Sequence, residues 1–293
     1  QDRQHGYSTE KEFPVTASHP SAPGSPHRMP TFFVPHGAGP CFFMEWHPAD
    51  TWDRMADFLR SIPGSLPEKP QAIVLVTAHW QEQQPSMSSA AQPGMIYDYR
   101  GFPAHTYELK YPAPGAPELA GQVSVLLEQA SFAPVQNPDR GYDHGTFIPL
   151  KVAFPDADIP VLQLSLLESL NAADHIRLGQ ALEPLRDQGV LIIGSGMSYH
   201  NMRGYGSRRS TPIAAAFDAW LTETVALPPA ERNARLADWA LASGPAGRES
   251  HPNYREEHLL PLHVAAGAAG AGAGRKVFTD EVLSVAISAF RFD

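Results

Sequence analysis

The chain of 293 residues is 43% hydrophobic and 18% charged, a globular composition with enough length to bury a full core. Its net charge of −9 argues against a nucleic-acid-binding surface, and its single cysteine, Cys41, excludes an internal disulfide framework or a cysteine-rich metal knot. No apolar run approaches the ~18 residues needed to cross a membrane.

Residues 1–29 mix Ser, Pro, Gly, His and charge, with little apolar periodicity and no hydrophobic signal core. They are expected to form a tail, with His5, His19 and His27 solvent-exposed, ahead of a single catalytic body at 30–293. Within the body, residues 30–36 (PTFFVPH) form a short buried strand, and 51–62 carry apolar residues at helical spacing. Residues 71–80 (QAIVLVTAHW) are a β-branched run without polar alternation, which suits a sheet covered on both faces. A helix is expected at 116–130, a strand at 159–166, a helix at 173–188 and a buried strand at 189–194. Two helices follow at 212–227 and 229–241, then a helix at 256–266, an Ala/Gly loop to 274 and a closing strand at 282–292. Strands interleaved with helices define a layered α/β domain. Its central sheet is mostly parallel or mixed, flanked by helices, with the active site at the strand carboxyl ends.

The histidines carry the chemistry. His36 follows TFFVP, His79 closes IVLVTA and His200 follows VLIIGSGMSY, so three apolar strands each deliver a histidine at or just after the carboxyl end. That edge is where open α/β sheets bind ligands, and neutral imidazole is the commonest nitrogen ligand for metals. Two further segments add donors. GYDHG (141–145) sets His144 in a tight turn beside Asp143. HPNYREEHLLPL (251–262) and the following His263 offer His251, His258 and His263, with Glu256 and Glu257 as carboxylate alternatives. His258 would point into the cleft from a helix anchored by the apolar LLPL, whereas His263 packs within that helix. His105 belongs to a loop or substrate lid, and His47 and His175 to the surface. From the residues alone, this is a metal site with an acid–base partner and no specified reaction.

HGAGP (36–40), IVLVTAHW (73–80), GFPAHTYELKYPAPG (101–115), GYDHG (141–145), ADIPVLQLSL (157–166), LIIGSGMSYHN (191–201) and HPNYREEHLLPLHVAAGAAG (251–270) occur in the order of a known family. Together they resemble the class III extradiol ring-cleavage dioxygenases, and within them the 4,5-DOPA dioxygenase-like branch. The resemblance spans the body from residue 30 to the C-terminus and implies a non-haem metal in a strand-end pocket. By motif, His36 and His79 match the first two metal ligands and His258 the third. His200 matches the acid–base histidine, a position sometimes drawn as a fourth ligand, and His144 the histidine that faces substrate and moves protons. The chain reads HGAGP where the branch often reads HGSP. Its segment before the third ligand is longer than the branch's, which leaves His251 or Glu257 as fallbacks.

The resemblance implies Fe(II) as the working metal. Zn(II) is an expected occupant of purified protein, because nitrogen sites bind Zn²⁺ more tightly than Fe²⁺. It also implies a catecholic substrate and O2 as partners and a semialdehyde acid as product. Tyr142, Tyr199 and residues 101–107 are candidate walls of the aromatic pocket, with Glu45 and Trp46 as further candidates. Two other functions stay open on the same fold: a zinc-dependent hydrolase, which would work without O2, and a non-catalytic binding protein, which would have no need of all five histidines. A homodimer is a candidate assembly. The single cysteine and the lack of a visible targeting signal point to the cytoplasm.

Overall fold

The computed structural model describes residues 24–293, so His5 and His19 lie outside the described residues. In chain order the elements are β1 (Thr31–Pro35), α1 (Asp53–Ser61), β2 (Ala72–Glu82), β3 (Ser86–Ser88), α2 (Pro117–Gln129), β4 (Val135–Asn137) and α3 (His144–Ala153). There follow β5 (Val161–Leu167), α4 (Ala172–Leu182), β6 (Val190–Gly196), α5 (Thr211–Val225), α6 (Pro229–Ala237), α7 (Trp239–Ala242) and α8 (Pro245–Ser250). The chain closes with α9 (Leu260–Ala268), β7 (Gly274–Val282) and β8 (Val285–Phe292).

The strands form one mixed sheet in the order β4-β3-β5-β2-β6-β1-β8-β7. Its centre, β5-β2-β6-β1, is parallel, while β8 pairs antiparallel with β1 and β3 antiparallel with β5. β1, β5 and β6 are buried along their whole length because helices cover both faces. On one side lie α2, α4, α5 and α9; on the other lie α1, α3 and the segment around Tyr99 and Tyr111. Burial on both faces explains why these strands read as continuous apolar runs. Because β2, β6 and β1 are parallel neighbours, their carboxyl ends meet at one edge of the sheet, and the side chains that follow them converge there.

Several elements differ from the sequence expectation. The GYDHG segment is not a tight turn but the start of α3: Asp143 caps the helix by accepting from the Thr146 N–H, and His144 is its first residue. The Ala/Gly run is helical through Ala268, because α9 is buried on all sides against β6, β1 and α4 and small residues allow that close packing. The helix begins at Leu260, so His258 lies in the turn before it rather than on it. The closing strand is the second arm of a hairpin. Leu283 and Ser284 both take positive φ at its turn, as a two-residue hairpin loop requires.

His175 is not at the surface. It is fully buried, its Nδ1–H donating to the Asn171 carbonyl (2.7 Å) and its Nε2 accepting the Leu167 N–H (3.0 Å). Met29, placed with the tail, is fully buried too, and it exchanges two hydrogen bonds with Arg186. His27 is exposed and pairs with Glu68. No described helix is long and apolar enough to cross a membrane.

Candidate metal centre

Five elements, β1, β2, α3, β6 and α9, bring five histidines to the carboxyl edge of the sheet. His36 follows directly on β1, and its N–H donates to the Gly196 carbonyl at the end of β6 (3.1 Å). His79 sits within β2, not at its end, where pairing with β5 breaks register between Val76 and Gln81. Such a bulge re-aims the side chains it carries. Here it is held by Thr77, whose Oγ1 accepts the His79 N–H (3.1 Å) and donates to Asp143 (2.8 Å). His200 follows β6 by four residues, its N–H donating to the Ser250 carbonyl (3.0 Å). His258 is brought in by the turn before α9, and its carbonyl accepts the Met197 N–H (3.0 Å). That carbonyl lies so close to β6 that only glycine fits opposite: a Cβ on Gly196 would stand 2.1 Å from it.

His36, His79 and His258 each offer a ring nitrogen within 4.8 Å of the others. The Nε2 atoms of His36 and His79 are 3.2 Å apart, and the Nδ1 of His258 faces Glu257 at 3.3 Å. Burial holds all three imidazoles well below their ordinary pKa, reinforced by neighbouring histidines. They are therefore neutral, with lone pairs available. His36 and His258 are almost fully enclosed. Two adjoining groups, His79–Asp98–His144 and His200–Glu257–His258, share a residue with this trio.

His144 lies against His79, and His200 against His258. The His144 ring centre is 3.9 Å from that of His79, and its Nδ1–H donates to Asp98 (2.7 Å). Asp98 also accepts the backbone N–H of His144 (2.9 Å). Burial works against the Asp98 charge, yet the hydrogen bonds and charge of His144 hold its carboxyl below the usual range. His200 lies flat on His258, ring centres 3.4 Å apart and planes 11° from parallel. Burial, with Arg255 and His144, brings its pKa to about 4.

The fallback ligands sit differently. His251 is fully buried away from the trio, its Nε2–H donating to the Ser198 carbonyl (2.8 Å), with Phe217 and Trp239 against its ring. Glu257 reaches His258 as a neighbour. His263 packs inside α9 and donates to the Leu236 carbonyl (2.8 Å). His47 is exposed. The exposed His105 donates to the Phe43 carbonyl (2.7 Å) and so ties down the 101–108 segment.

Above the histidines opens a cleft of about 400 Å³ walled by Trp46, Trp52, Phe102, Met197, Tyr205 and Leu283. Trp46 and Phe102 were expected there. Tyr142 and Tyr199 are not on its wall: Tyr142 is fully buried with its hydroxyl on the Ala113 carbonyl, and Tyr199 is covered by Tyr205. Glu45 is exposed and does not line the cleft. Sequence reasoning missed Asp98, which lies 46 residues from His144 with no motif around it. It also missed Trp52, Tyr205 and Leu283, which come from three separate connections between elements.

The family model described as the catalytic LigB subunit of aromatic ring-opening dioxygenase matches residues 30–290. A Beta vulgaris protein named 4,5-DOPA dioxygenase extradiol is 42% identical over 248 residues, covering 82% of this chain and 87% of that one. An Escherichia coli protein of the same name is 32% identical, covering 82% and 85%. Dioxygenase tasH of Hapsidospora irregularis is 39% identical, covering 75% and 70%. The crystal structure of an uncharacterized Escherichia coli K12 protein superposes with a TM-score of 0.72 at 28% identity, covering 91% of this chain and all of that one.

Proposed function

This chain belongs to the LigB family of aromatic ring-opening dioxygenases, and from that premise we propose that it opens the ring of a catechol with O2 at a metal held by His36, His79 and His258. The observation that carries the proposal is the convergence of three neutral imidazoles beneath an aromatic-walled cleft. Residues 30–293 form the catalytic domain. The donor set fits a divalent first-row metal: three imidazole nitrogens, with a carboxylate behind His258 of the kind that orients metal-bound histidines. His200 is left out because its plane runs parallel to that of His258. It lies flat on that ring, centres 3.4 Å apart, and is assigned to the proton instead. Fe(II) is the working metal, with Zn(II) as a competing occupant.

A metal held by His36, His79 and His258 would supply Lewis-acid chemistry that acidifies a catechol hydroxyl and a centre at which O2 could be activated. The protein supplies the rest. Trp46, Phe102 and Tyr205 offer faces and edges against which an aromatic ring packs. They also exclude water from the reacting carbons. His200, at the cleft wall and stacked on His258, would accept the phenolic proton of a catechol in the cleft and could hand a proton back to the substrate. His144 stands beside His79. With Nδ1–H held by Asp98, its Nε2 is the atom free to accept or deliver a proton at the substrate. In the overall reaction the ring carbon–carbon bond beside the diol breaks, both atoms of O2 enter the organic product, and a semialdehyde acid forms.

The test is anaerobic loading with Fe(II) or Zn(II), followed by O2 uptake and visible absorbance with a panel of catechols. Uptake with a new yellow chromophore for the iron form alone is the expected result. Bound iron without uptake for any catechol, or turnover by the zinc form without O2, overturns the proposal.

A further inference from the structure

The cleft above the histidines does not end at its aromatic walls. His200 and Met202 also line a second hollow of about 540 Å³, which Arg203, Arg255 and Glu257 line as well. Met202 stands between the two spaces and is 68% exposed, a large apolar side chain left in water at the junction.

The charge of this hollow runs against that of the chain. The net charge is −9, yet Arg203 and Arg255 are both exposed, and their guanidinium groups make no ion pair or hydrogen bond among the described residues. Other arginines nearby are committed: Arg140 to Asp143 (2.9 Å) and Arg248 to Glu256 (2.6 Å). The one acid in the hollow, Glu257, is mostly covered and has its carboxylate 3.3 Å from the ring of His258. The backbone of Arg203 is anchored, since Asn201 accepts the Arg203 N–H (3.2 Å) and donates to the Glu249 carbonyl (2.7 Å), and the Arg255 N–H donates to the Pro252 carbonyl (2.9 Å). Two uncommitted guanidinium groups on anchored backbone, reached from the cleft past an apolar side chain, suit a planar anion at the end of an apolar arm.

We infer that Arg203 and Arg255 are specificity-determining residues that receive a carboxylate carried on the side arm of the catechol, the arm lying along Met202 while the ring sits over the histidines. The inference rests on the ring-opening function proposed above and adds the charge of the substrate. It makes the enzyme selective for anionic over neutral catechols and unfavourable to cationic ones.

The experiment uses the Fe(II)-loaded protein held anaerobic and reads binding by quenching of tryptophan emission, since Trp46 and Trp52 line the cleft. The probes are three catechols of similar size: 3,4-dihydroxyphenylacetate, 4-methylcatechol and dopamine. Affinity is expected to fall in that order. Arg203→Gln and Arg255→Gln are each expected to reduce the anionic-to-neutral affinity ratio by about fivefold, the double variant by more, with the preference shrinking as salt rises. The same charge removal at Arg60, which pairs with Asp57 on α1, should leave the ratio in place. O2 uptake on admitting air should give kcat/KM ratios that follow the binding ratios. A double variant with the wild-type ratio, or a wild type that binds all three catechols equally, overturns the inference. Where no catechol supports O2 uptake, ring opening is refuted while the binding ratio still decides the role of the arginines.

Discussion

Gly196→Ala should detach His258 from the metal site without touching any histidine. Gly196 ends β6, and a Cβ there would lie 2.1 Å from the His258 carbonyl oxygen, against a floor of 3.0 Å for such contacts. The carbonyl has to retreat by at least about 0.9 Å. It cannot move that far and keep the 3.0 Å hydrogen bond it accepts from Met197. Losing that bond costs about 1 kcal/mol and the overpacking about 1–3 kcal/mol, so stability should drop by about 2–4 kcal/mol. The effect on the site is larger in proportion. Metal–nitrogen bonds are about 2.1 Å long, so a ligand displaced by nearly half that length no longer matches its partners, and metal affinity should fall about 10–100-fold. Competition titration with a chelator measures the affinity, and urea unfolding of the metal-free protein measures the stability. Gly64→Ala is the control, since nothing lies within 4 Å of its added methyl. A Gly196→Ala protein that unfolds more easily yet binds metal as the wild type does would refute the claim that β6 positions His258 as a ligand.

Three further outcomes are expected. Asp98→Asn keeps the size of the side chain but weakens the hold on His144 Nδ1–H; kcat should fall about 10–100-fold while metal content and KM stay near wild type, and lost metal would instead make Asp98 a support of the metal site. Acid should destabilise the metal-free fold through His175 and His263, whose pKa values burial lowers to about 4. The unfolded chain takes up these protons near pH 6.5 and the folded chain only near 4, so their contribution is complete above 6.5, falls away between 6.5 and 4, and is flat below. At pH 5 the pair removes about 4 kcal/mol relative to pH 7, and equal unfolding free energies at the two pH values would contradict this. Phe102→Ala should raise KM for catechols several-fold with metal content unchanged, because it strips one aromatic wall from the cleft, and an unchanged KM would place the ring elsewhere.

Much of the site was legible because it follows from strand chemistry. TFFVP and AIVLVTA are apolar throughout because both faces of the sheet are covered, and a histidine after or near the end of such a run stands at the ligand-binding edge. Parallel neighbours then bring those ends together. What stayed hidden depends on distance in the chain or on the direction a side chain faces. Asp98 meets His144 only through the fold. Flanked by Asp174 and Arg177, His175 reads as a surface residue, yet its helical face turns inward to accept the Leu167 N–H. The two glycines of GYDHG suggest a turn, and the Asp143 cap that begins α3 is masked by them and by Pro149 inside the helix. β7 is half-exposed, and its RKVFTDEV sequence lacks the apolar run that marks the buried strands. The aromatic walls come from separate loops, so no spacing marks Trp52 or Tyr205.

The division of labour among the five histidines is tested most directly by the metal content of the single alanine variants after loading with Fe(II) and gel filtration. His36→Ala, His79→Ala and His258→Ala are expected to lose the metal. His200→Ala and His144→Ala are expected to keep one metal per chain while losing turnover. Loss of metal from His200→Ala, or its retention by His258→Ala, would contradict the assignment of three ligands and two proton carriers.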